Sequence, residues 1–271
     1  MDDVAEVLLT PEFQRRVDRT EPFKREIARG NLQRLQAHGI LSFDQLAASL
    51  PCLRDDALVT AIWALPYFDQ RRAVPLLLRL LDGPDPAIRG YALIALEMIG
   101  GSRAARAFVR HLAGDPDPWV REQAAHGLGF LFDSRFDDQA FGPLLSTLEN
   151  SDEVPAVRAQ AAESLGNIFS CSDRRTRRYK RAQAAVIEVL AEPAAEIRFW
   201  AAFALGVMRS RTALSRLRQL AESDKAFHAM WWDVNKEGSP GIGWTVGEEA
   251  SDAITCILTG AWPERERQME R

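Results

Sequence analysis

The sequence holds few of the residues that build metal-bound or disulfide-linked folds. Its 271 residues include three cysteines and four histidines. Cys52, Cys171 and Cys256 lie far apart and form no CxxC pair, which argues against a zinc knuckle and a disulfide framework and favours a reducing cytosol. Each cysteine is therefore expected to be a small core residue.

Long apolar runs and a secretory leader are also missing. No stretch approaches the roughly 18 apolar residues of a membrane span, and the opening MDDVAEVLLTPEF has acids where a secretory signal needs basic residues. The net charge is −4, so the surface as a whole does not attract nucleic acid or anionic membrane, although a local patch could. We expect a cytoplasmic protein without a membrane partner.

Catalytic motifs are absent as well. The sequence has no P-loop, no GxGxxG fingerprint after a strand and no GxSxG nucleophile elbow. It therefore predicts no catalytic residue, no metal ligand and no cofactor, as in a protein that is not an enzyme.

The sequence does contain a repeated order of residues. Four segments carry an arginine with isoleucine or valine at −1, a small residue at +3, another at +6 and a leucine at +7. These arginines, termed the arginine series, are Arg89, Arg121, Arg158 and Arg198. They stand 32 to 40 residues apart, and self-similarity at this period indicates a solenoid of stacked helical units.

Helical geometry explains this order. At about 100° per residue, the four positions fall on one arc of a helix, so the arc is expected to be buried against neighbouring helices. Asp85-Pro86 and Asp117-Pro118 have the form of a helix N-cap followed by proline in the first turn. Because the arginines stand at the edge of the arc, we expect them to pair with an acid or a carbonyl of the adjacent repeat rather than to bind a ligand.

Each unit also has a second helix. Five amphipathic segments follow the first helices at similar distances: 73–81, 104–112, 140–148, 182–190 and 212–220. Residues 55–68 form a further first helix without the arginine, and 244–258 form a last one in which Gly247 replaces it. Over about residues 55–258 this pattern resembles the HEAT-repeat family, in particular the short repeats first named from the phycobilisome lyases.

The resemblance implies an all-α, armadillo-like fold: an α-solenoid in which antiparallel helix pairs form a right-handed superhelix. It also implies a binding scaffold, because most HEAT solenoids bind other proteins, although a fold does not fix a function. The di-iron HEAT hydroxylases carry paired His-Glu motifs, which this sequence lacks. We expect one continuous domain with a helical cap (1–54), HEAT-like repeats (55–222), and a loop insertion with a capping helix (223–271).

A basic row is predicted on the second helices, which usually line the inner curve of a solenoid. Their alignment places in one exposed row Arg79, Arg110, Ser146, Glu188 and Gln219, with Arg103 and Arg106 beside Arg110. The row is either a solvated charged face or a groove that attracts an acidic protein segment. The candidate partner-binding residues are Arg79, Arg103, Arg106, Arg110 and Glu188.

Two further segments are secondary candidates. The basic run DRRTRRYKR (173–181) contains Arg174, Arg175, Arg177 and Arg178. Placed in a turn between two helices, it is either a solvated turn or a grip on a phosphate backbone, with Tyr179 stacking on a base. The insertion 223–243 contains Trp231 and Trp232, which either cover the end of the core as a lid or contact a partner.

The expected function is therefore non-catalytic binding of another protein, through an acidic segment, along the concave face. Two alternatives stay open. One is a ligand-handling factor like the bilin lyases, which would hold a tetrapyrrole. The other is a nucleic-acid binder that uses Arg103, Arg106, Arg110 and the basic run, an alternative that the net charge of −4 disfavours.

Overall fold

The computed structural model describes residues 42–131, 135–229 and 243–263, together with five isolated positions between 30 and 39. These residues form helices and one two-stranded sheet. The chain divides into two compact units: unit 1 comprises residues 1–111 and 115–127, and unit 2 comprises residues 112–114 and 128–271.

Unit 1 consists of helix pairs. Its described helices are α1 (Phe43–Ser49), α2 (Asp55–Phe68), α3 (Gln70–Leu80), α4 (Pro86–Ile99), α5 (Gly101–Gly114) and α6 (Pro118–Gly129), with the last residues of α5 and α6 assigned to unit 2. Asp85 and Asp117 cap α4 and α6 as predicted: each carboxylate accepts a hydrogen bond from the backbone N–H two residues later, at 2.8 and 2.9 Å.

Unit 2 continues the same alternation. Its described helices are α7 (Asp137–Glu149), α8 (Pro155–Phe169), α9 (Arg177–Glu188), α10 (Ala195–Val207), α11 (Leu214–Ser223) and α12 (Val246–Thr259). Strands β1 (Phe227–Ala229) and β2 (Gly243–Thr245) lie between α11 and α12. The predicted alternation of first helices (α2, α4, α6, α8, α10, α12) and second helices (α3, α5, α7, α9, α11) is confirmed.

The predicted buried arc is confirmed too. In α4, α6, α8 and α10, every residue at −1, +3, +6 and +7 is buried except Ile88, which is half-buried. A small residue on the arc and one next to it set how closely two helices approach: a Cβ added at Gly166, one position beyond the arc of α8, would lie 2.7 Å from the Cα of Ala204, the +6 residue of α10. Close approach of this kind leaves no space for larger side chains.

The cysteine expectation is right for one residue and wrong for two. Cys256 is buried in α12, whereas Cys52 and Cys171 are exposed. Cys52 lies in a 3₁₀ turn after α1, and Cys171 lies in the turn that follows α8. Connecting turns run over the surface, where no second layer of helices covers them.

A short antiparallel hairpin adds to the all-α architecture. Phe227 pairs with Thr245, and His228 pairs with Trp244. Helix α12 begins at Val246 rather than at residue 244, because Thr245 and Glu248 form a capping box at its start.

Aromatic rings pack around this hairpin and the end of unit 2. Trp244 lies 5.7 Å from Phe199 of α10, measured between ring centroids, and its indole N–H donates to the buried Glu249 carboxylate. Trp262 stacks on Phe203 at 5.4 Å. Trp231 and Trp232 lie outside the described residues, so their role as a lid remains a prediction, as does the division into cap, repeats and C-terminal segment.

Candidate functional site

In unit 1 the arginine series joins consecutive loops between repeats. Arg89 binds the Asp115 carboxylate through two hydrogen bonds, Nε–Oδ2 at 2.8 Å and Nη2–Oδ1 at 2.7 Å. Its Nη1 also donates to the carbonyl of Gly83, in the loop before its own helix, at 3.1 Å. Arg121 Nη1 donates to the main-chain carbonyl of Asp115 at 2.8 Å. Arg89 thus binds the side chain of Asp115, and Arg121, the next arginine of the series, binds the backbone carbonyl of Asp115.

Unit 2 repeats this arrangement at Glu192. Arg158 Nη2 donates to the Glu192 carboxylate at 2.6 Å, and Arg198 Nη1 donates to the Glu192 carbonyl at 2.8 Å. Arg198 Nε in turn donates to Asp224 Oδ2 at 2.7 Å. At the last repeat, where Gly247 replaces the arginine, the Gly247 N–H itself donates to the Asp224 carbonyl at 3.0 Å. The predicted pairing with an acid of the adjacent repeat is thus confirmed for Arg89, Arg158 and Arg198. The bonds of Arg121 described here are to carbonyls of the loop before its own helix.

A buried triad forms around Asp115. His111 Nδ1 donates to Asp115 Oδ2 at 2.9 Å, and Arg89, His111 and Asp115 are all buried. Burial raises the pKa of Asp115, but the hydrogen bonds from Arg89 and His111 outweigh it and hold the pKa at about 2. The ionised carboxylate thus joins Arg89 of α4 to His111 of α5 and to the loop that follows α5.

Arg121→Ala is expected to lower the free energy of unfolding by about 1–3 kcal/mol, because it removes a charged donor from the Asp115 carbonyl. Denaturant unfolding measures the change. Arg103→Ala, at an exposed position on α5, is the matched control and should alter stability by less than about 0.5 kcal/mol. Equal stability of the two variants would contradict a structural role for the series.

The predicted arginines of the second helices are exposed in unit 1. Arg79 lies on α3, and Arg103, Arg106 and Arg110 lie on α5. Steps of three and four residues place the three α5 arginines on one helix face. These four residues are termed the α3–α5 arginine surface.

Asp82 lies beside this surface and contacts it. It belongs to the turn that ends α3, where its backbone N–H donates to the Arg79 carbonyl at 3.2 Å. Its carboxylate Oδ1 accepts from Arg110 Nη2 at 2.8 Å, with 61% of the Asp82 side chain and 68% of the Arg110 side chain exposed. The ends of α3 and α5 are therefore neighbours in unit 1.

Pairs of this type recur on the second helices. In unit 1, Arg72 of α3 pairs with Asp44 of α1 at a separation of 28 residues, the separation that also joins Arg110 to Asp82. In unit 2, Arg178 and Arg181 of α9 pair with acids of α7, Asp138 and Glu149. Acids of preceding helices thus neutralise part of the positive charge of the second helices. Among the described residues, Arg79, Arg103 and Arg106 have no such partner.

The basic run has a different structure from the one expected. Arg174 and Arg175 lie in the turn after α8, but Arg177 and Arg178 belong to α9, which begins there because the Thr176 side chain caps it. All four arginines are exposed; Arg175 pairs with Asp173 and Arg178 with Asp138.

The alternative in which Tyr179 stacks on a base does not agree with the structure. The helical start turns this side chain inward, so it is 2% exposed, and its hydroxyl donates to the Met208 carbonyl at 2.8 Å. A base cannot stack on a ring in this position. Glu188, the acidic candidate on α9, is exposed.

Unit 1 contains an aromatic row that was not predicted from the sequence. Trp63, Tyr91 and Trp119 meet edge to face, with centroids 5.7 and 5.2 Å apart. Their equal spacing of 28 residues is the signal that could have revealed the row. A Cβ at Gly90 would lie 2.0 Å from the Trp119 ring, so the row packs adjacent first helices together.

Two further observations concern membranes and metals. No described helix is both long and apolar enough to cross a membrane. The part of the chain that the structure describes contains no group of three or more His, Cys, Asp or Glu side chains that could hold a metal ion.

The sequence profile of HEAT repeats matches residues 45–129, 107–178 and 142–231, which together span more than half of the chain. The chain belongs to the HEAT-repeat family. No curated protein matches its sequence. HEAT repeats usually mediate protein interactions, and their fold is typically non-enzymatic, so this HEAT-repeat protein is a repeat scaffold of the all-α, armadillo-like class.

Two solved structures with TM-scores of 0.51 and 0.50 agree with this fold. An engineered protein shares 20% identity, covers 82% of this chain and 99% of its own, and has a TM-score of 0.51. A designed armadillo repeat protein shares 15% identity, covers 80% of this chain and 100% of its own, and has a TM-score of 0.50. The CpcE–CpcF complex of phycocyanin lyase from Nostoc sp. shares 22% identity over 57% of this chain and 91% of that chain, with a TM-score of 0.46. At sequence identities of 15% and 20%, similarity to the first two structures shows the fold alone.

Proposed function

We propose that this HEAT-repeat protein is a non-catalytic scaffold that binds an acidic protein segment on the α3–α5 arginine surface. The observation that carries the proposal is the set of three exposed arginines, Arg79, Arg103 and Arg106, which lack a charged partner among the described residues. Arg110 stands on the same helix face as Arg103 and Arg106 and has only an exposed partner.

Electrostatics supports this choice of surface. A cluster of like charges repels itself, and a partner of opposite charge relieves that repulsion on binding. Guanidinium groups bind carboxylates through two parallel hydrogen bonds. Acids of preceding helices pair with Arg72 of α3 and with Arg178 and Arg181 of α9. Among the described residues, Arg79, Arg103 and Arg106 have no such acid, and Arg103 and Arg106 share one face of α5 with Arg110, so this group of arginines is available to a partner.

A protein partner is favoured over nucleic acid. The net charge of −4 opposes a long polyanion, whereas a short acidic segment needs only a local patch. The basic run is the other candidate for binding a phosphate backbone, but Tyr179 is buried in the core and cannot stack on a base there. Glu188 remains a candidate contact on α9, where a basic residue of the partner would complement it.

The charge-reversing variant Arg103→Glu/Arg106→Glu is expected to weaken binding of a fluorescent polyglutamate peptide on the order of tenfold, with a shallower salt dependence. Two attractive contacts become repulsive, and both positions are exposed, so the fold should stay intact. Fluorescence anisotropy at low and physiological salt measures affinity, and circular dichroism checks the fold.

The matched control is Arg174→Glu/Arg177→Glu, which makes the same change of net charge at exposed positions of unit 2. Its affinity for the peptide should stay close to that of the wild type. A loss confined to the control would move the binding site to the basic run. Tighter binding of a single-stranded oligonucleotide than of the peptide, lost in the Arg103/Arg106 variant, would replace the acidic protein by nucleic acid.

A further inference from the structure

We infer that Asp82 is a built-in competitor for the α3–α5 arginine surface: it occupies Arg110 in the free protein and is displaced when an acidic segment binds. This inference rests on the proposed function of the same surface and adds how access to it is regulated. The Asp82 carboxylate occupies the place on Arg110 that a carboxylate of the partner would take.

The position of Asp82 fits this role. Its carboxylate bonds to Arg110 at 2.8 Å, and its backbone N–H bonds to the carbonyl of Arg79. Asp82 therefore connects the end of α3, where Arg79 lies, to Arg110 of α5. A carboxylate of an acidic segment that binds Arg110 therefore competes with Asp82 for the same guanidinium group.

The Asp82–Arg110 pair is also easily exchanged. Water screens both groups, since more than half of each side chain is exposed, and exposed pairs contribute little to stability. The Arg89–Asp115 pair of the same unit is the opposite case, because its side chains are only 9% and 2% exposed and neither can leave without exposing an unpaired charge in the core. Asp82 can therefore give way to another carboxylate, whereas Asp115 cannot.

Competition of this kind sets a minimum number of acidic residues that a segment of the partner needs in order to bind. While Asp82 is in place, the surface presents three arginines that have no charged partner in the described part of the chain, and one negative charge that repels an incoming carboxylate. A segment with one or two acids gains little, while a segment with several acids can occupy the free arginines and then replace Asp82 at Arg110. Built-in repulsion of weak ligands is a common source of specificity.

Asp82→Asn is expected to tighten binding of the polyglutamate peptide by about two- to fivefold at low salt, because it frees Arg110 and removes the repelling charge. The gain should shrink at physiological salt. Asp138→Asn, which frees Arg178 in unit 2, is the matched control: it changes net charge equally and should leave the affinity nearly unchanged.

A double-mutant cycle isolates the contact. In an Arg110→Gln background, Asp82→Asn should give a smaller gain than in the wild type, because the arginine that Asp82 occupies is gone. An equal gain in Asp138→Asn would reduce the effect to net charge and overturn the inference. If Arg103→Glu/Arg106→Glu abolishes binding of the peptide but Asp82→Asn leaves the affinity unchanged, the inference that Asp82 is a competitor is overturned and the proposed function stands. If neither the wild type nor Asp82→Asn binds the polyglutamate peptide, the proposed function and the inference about Asp82 are both overturned.

Discussion

Replacing Asp115 by alanine is expected to lower the free energy of unfolding by about 3–5 kcal/mol. The buried carboxylate accepts hydrogen bonds from Arg89 and His111. Its removal leaves the Arg89 guanidinium buried without its counter-ion, and an uncompensated buried charge is among the most destabilising changes in a protein. Urea unfolding monitored by circular dichroism measures the loss.

Asp82→Ala is the matched control for this variant. It also removes an aspartate that pairs with an arginine of unit 1, but the pair is exposed, so the loss should stay below about 1 kcal/mol. Similar unfolding midpoints for the two variants would mean that burial does not distinguish the two ion pairs, and the structural role of the Asp115 triad would be lost.

The same carboxylate gives a defined pH dependence. Its pKa is about 2 in the folded protein, below the value of about 3.9 for an unfolded aspartate. The folded state therefore binds the proton more weakly than the unfolded state. The contribution of Asp115 to stability is complete above about pH 4 and is lost as the pH falls toward 2. Asp115→Asn should show a flatter decline of stability over this acidic range.

Local features of the fold follow from the sequence because neighbouring residues determine them. The caps at Asp85 and Asp117 depend on residues two positions away, and the buried arc depends only on helical periodicity. The hairpin was not predicted because strands of three residues are too short to show an alternating pattern. Tyr179 was misassigned because the start of α9 depends on the cap at Thr176.

The candidate surface was predictable only in part. Exposure of Arg79, Arg103 and Arg106 follows from the phase of each helix relative to its apolar face. Which arginines are already paired depends instead on side chains of the preceding repeat, as at Asp82 and Arg110. The 28-residue separation of the Asp44–Arg72 and Asp82–Arg110 pairs becomes meaningful only once the helix pairs are known to stack in register.

Packing between first helices leads to a second large effect. Gly166→Ala is expected to destabilise the protein by about 1–3 kcal/mol, although alanine is intrinsically the better helix former by about 1 kcal/mol. The added methyl group would lie 2.7 Å from the Cα and 2.8 Å from the Cβ of Ala204. Because the first of these atoms is backbone, the clash can be relieved only by moving α8 and α10 apart, which opens the core along their contact.

Gly114→Ala is the matched control, since it adds the same methyl group to an exposed helical position with no atom within 4 Å. Without a clash, only the helix propensity changes, so this variant should be neutral or more stable by up to about 1 kcal/mol. Thermal unfolding of both variants measures whether the signs differ. A stabilised Gly166→Ala protein would show that α8 and α10 can separate at no cost, and the small residue that Gly166 faces in the repeated order, Ala204, would then need another explanation than close packing.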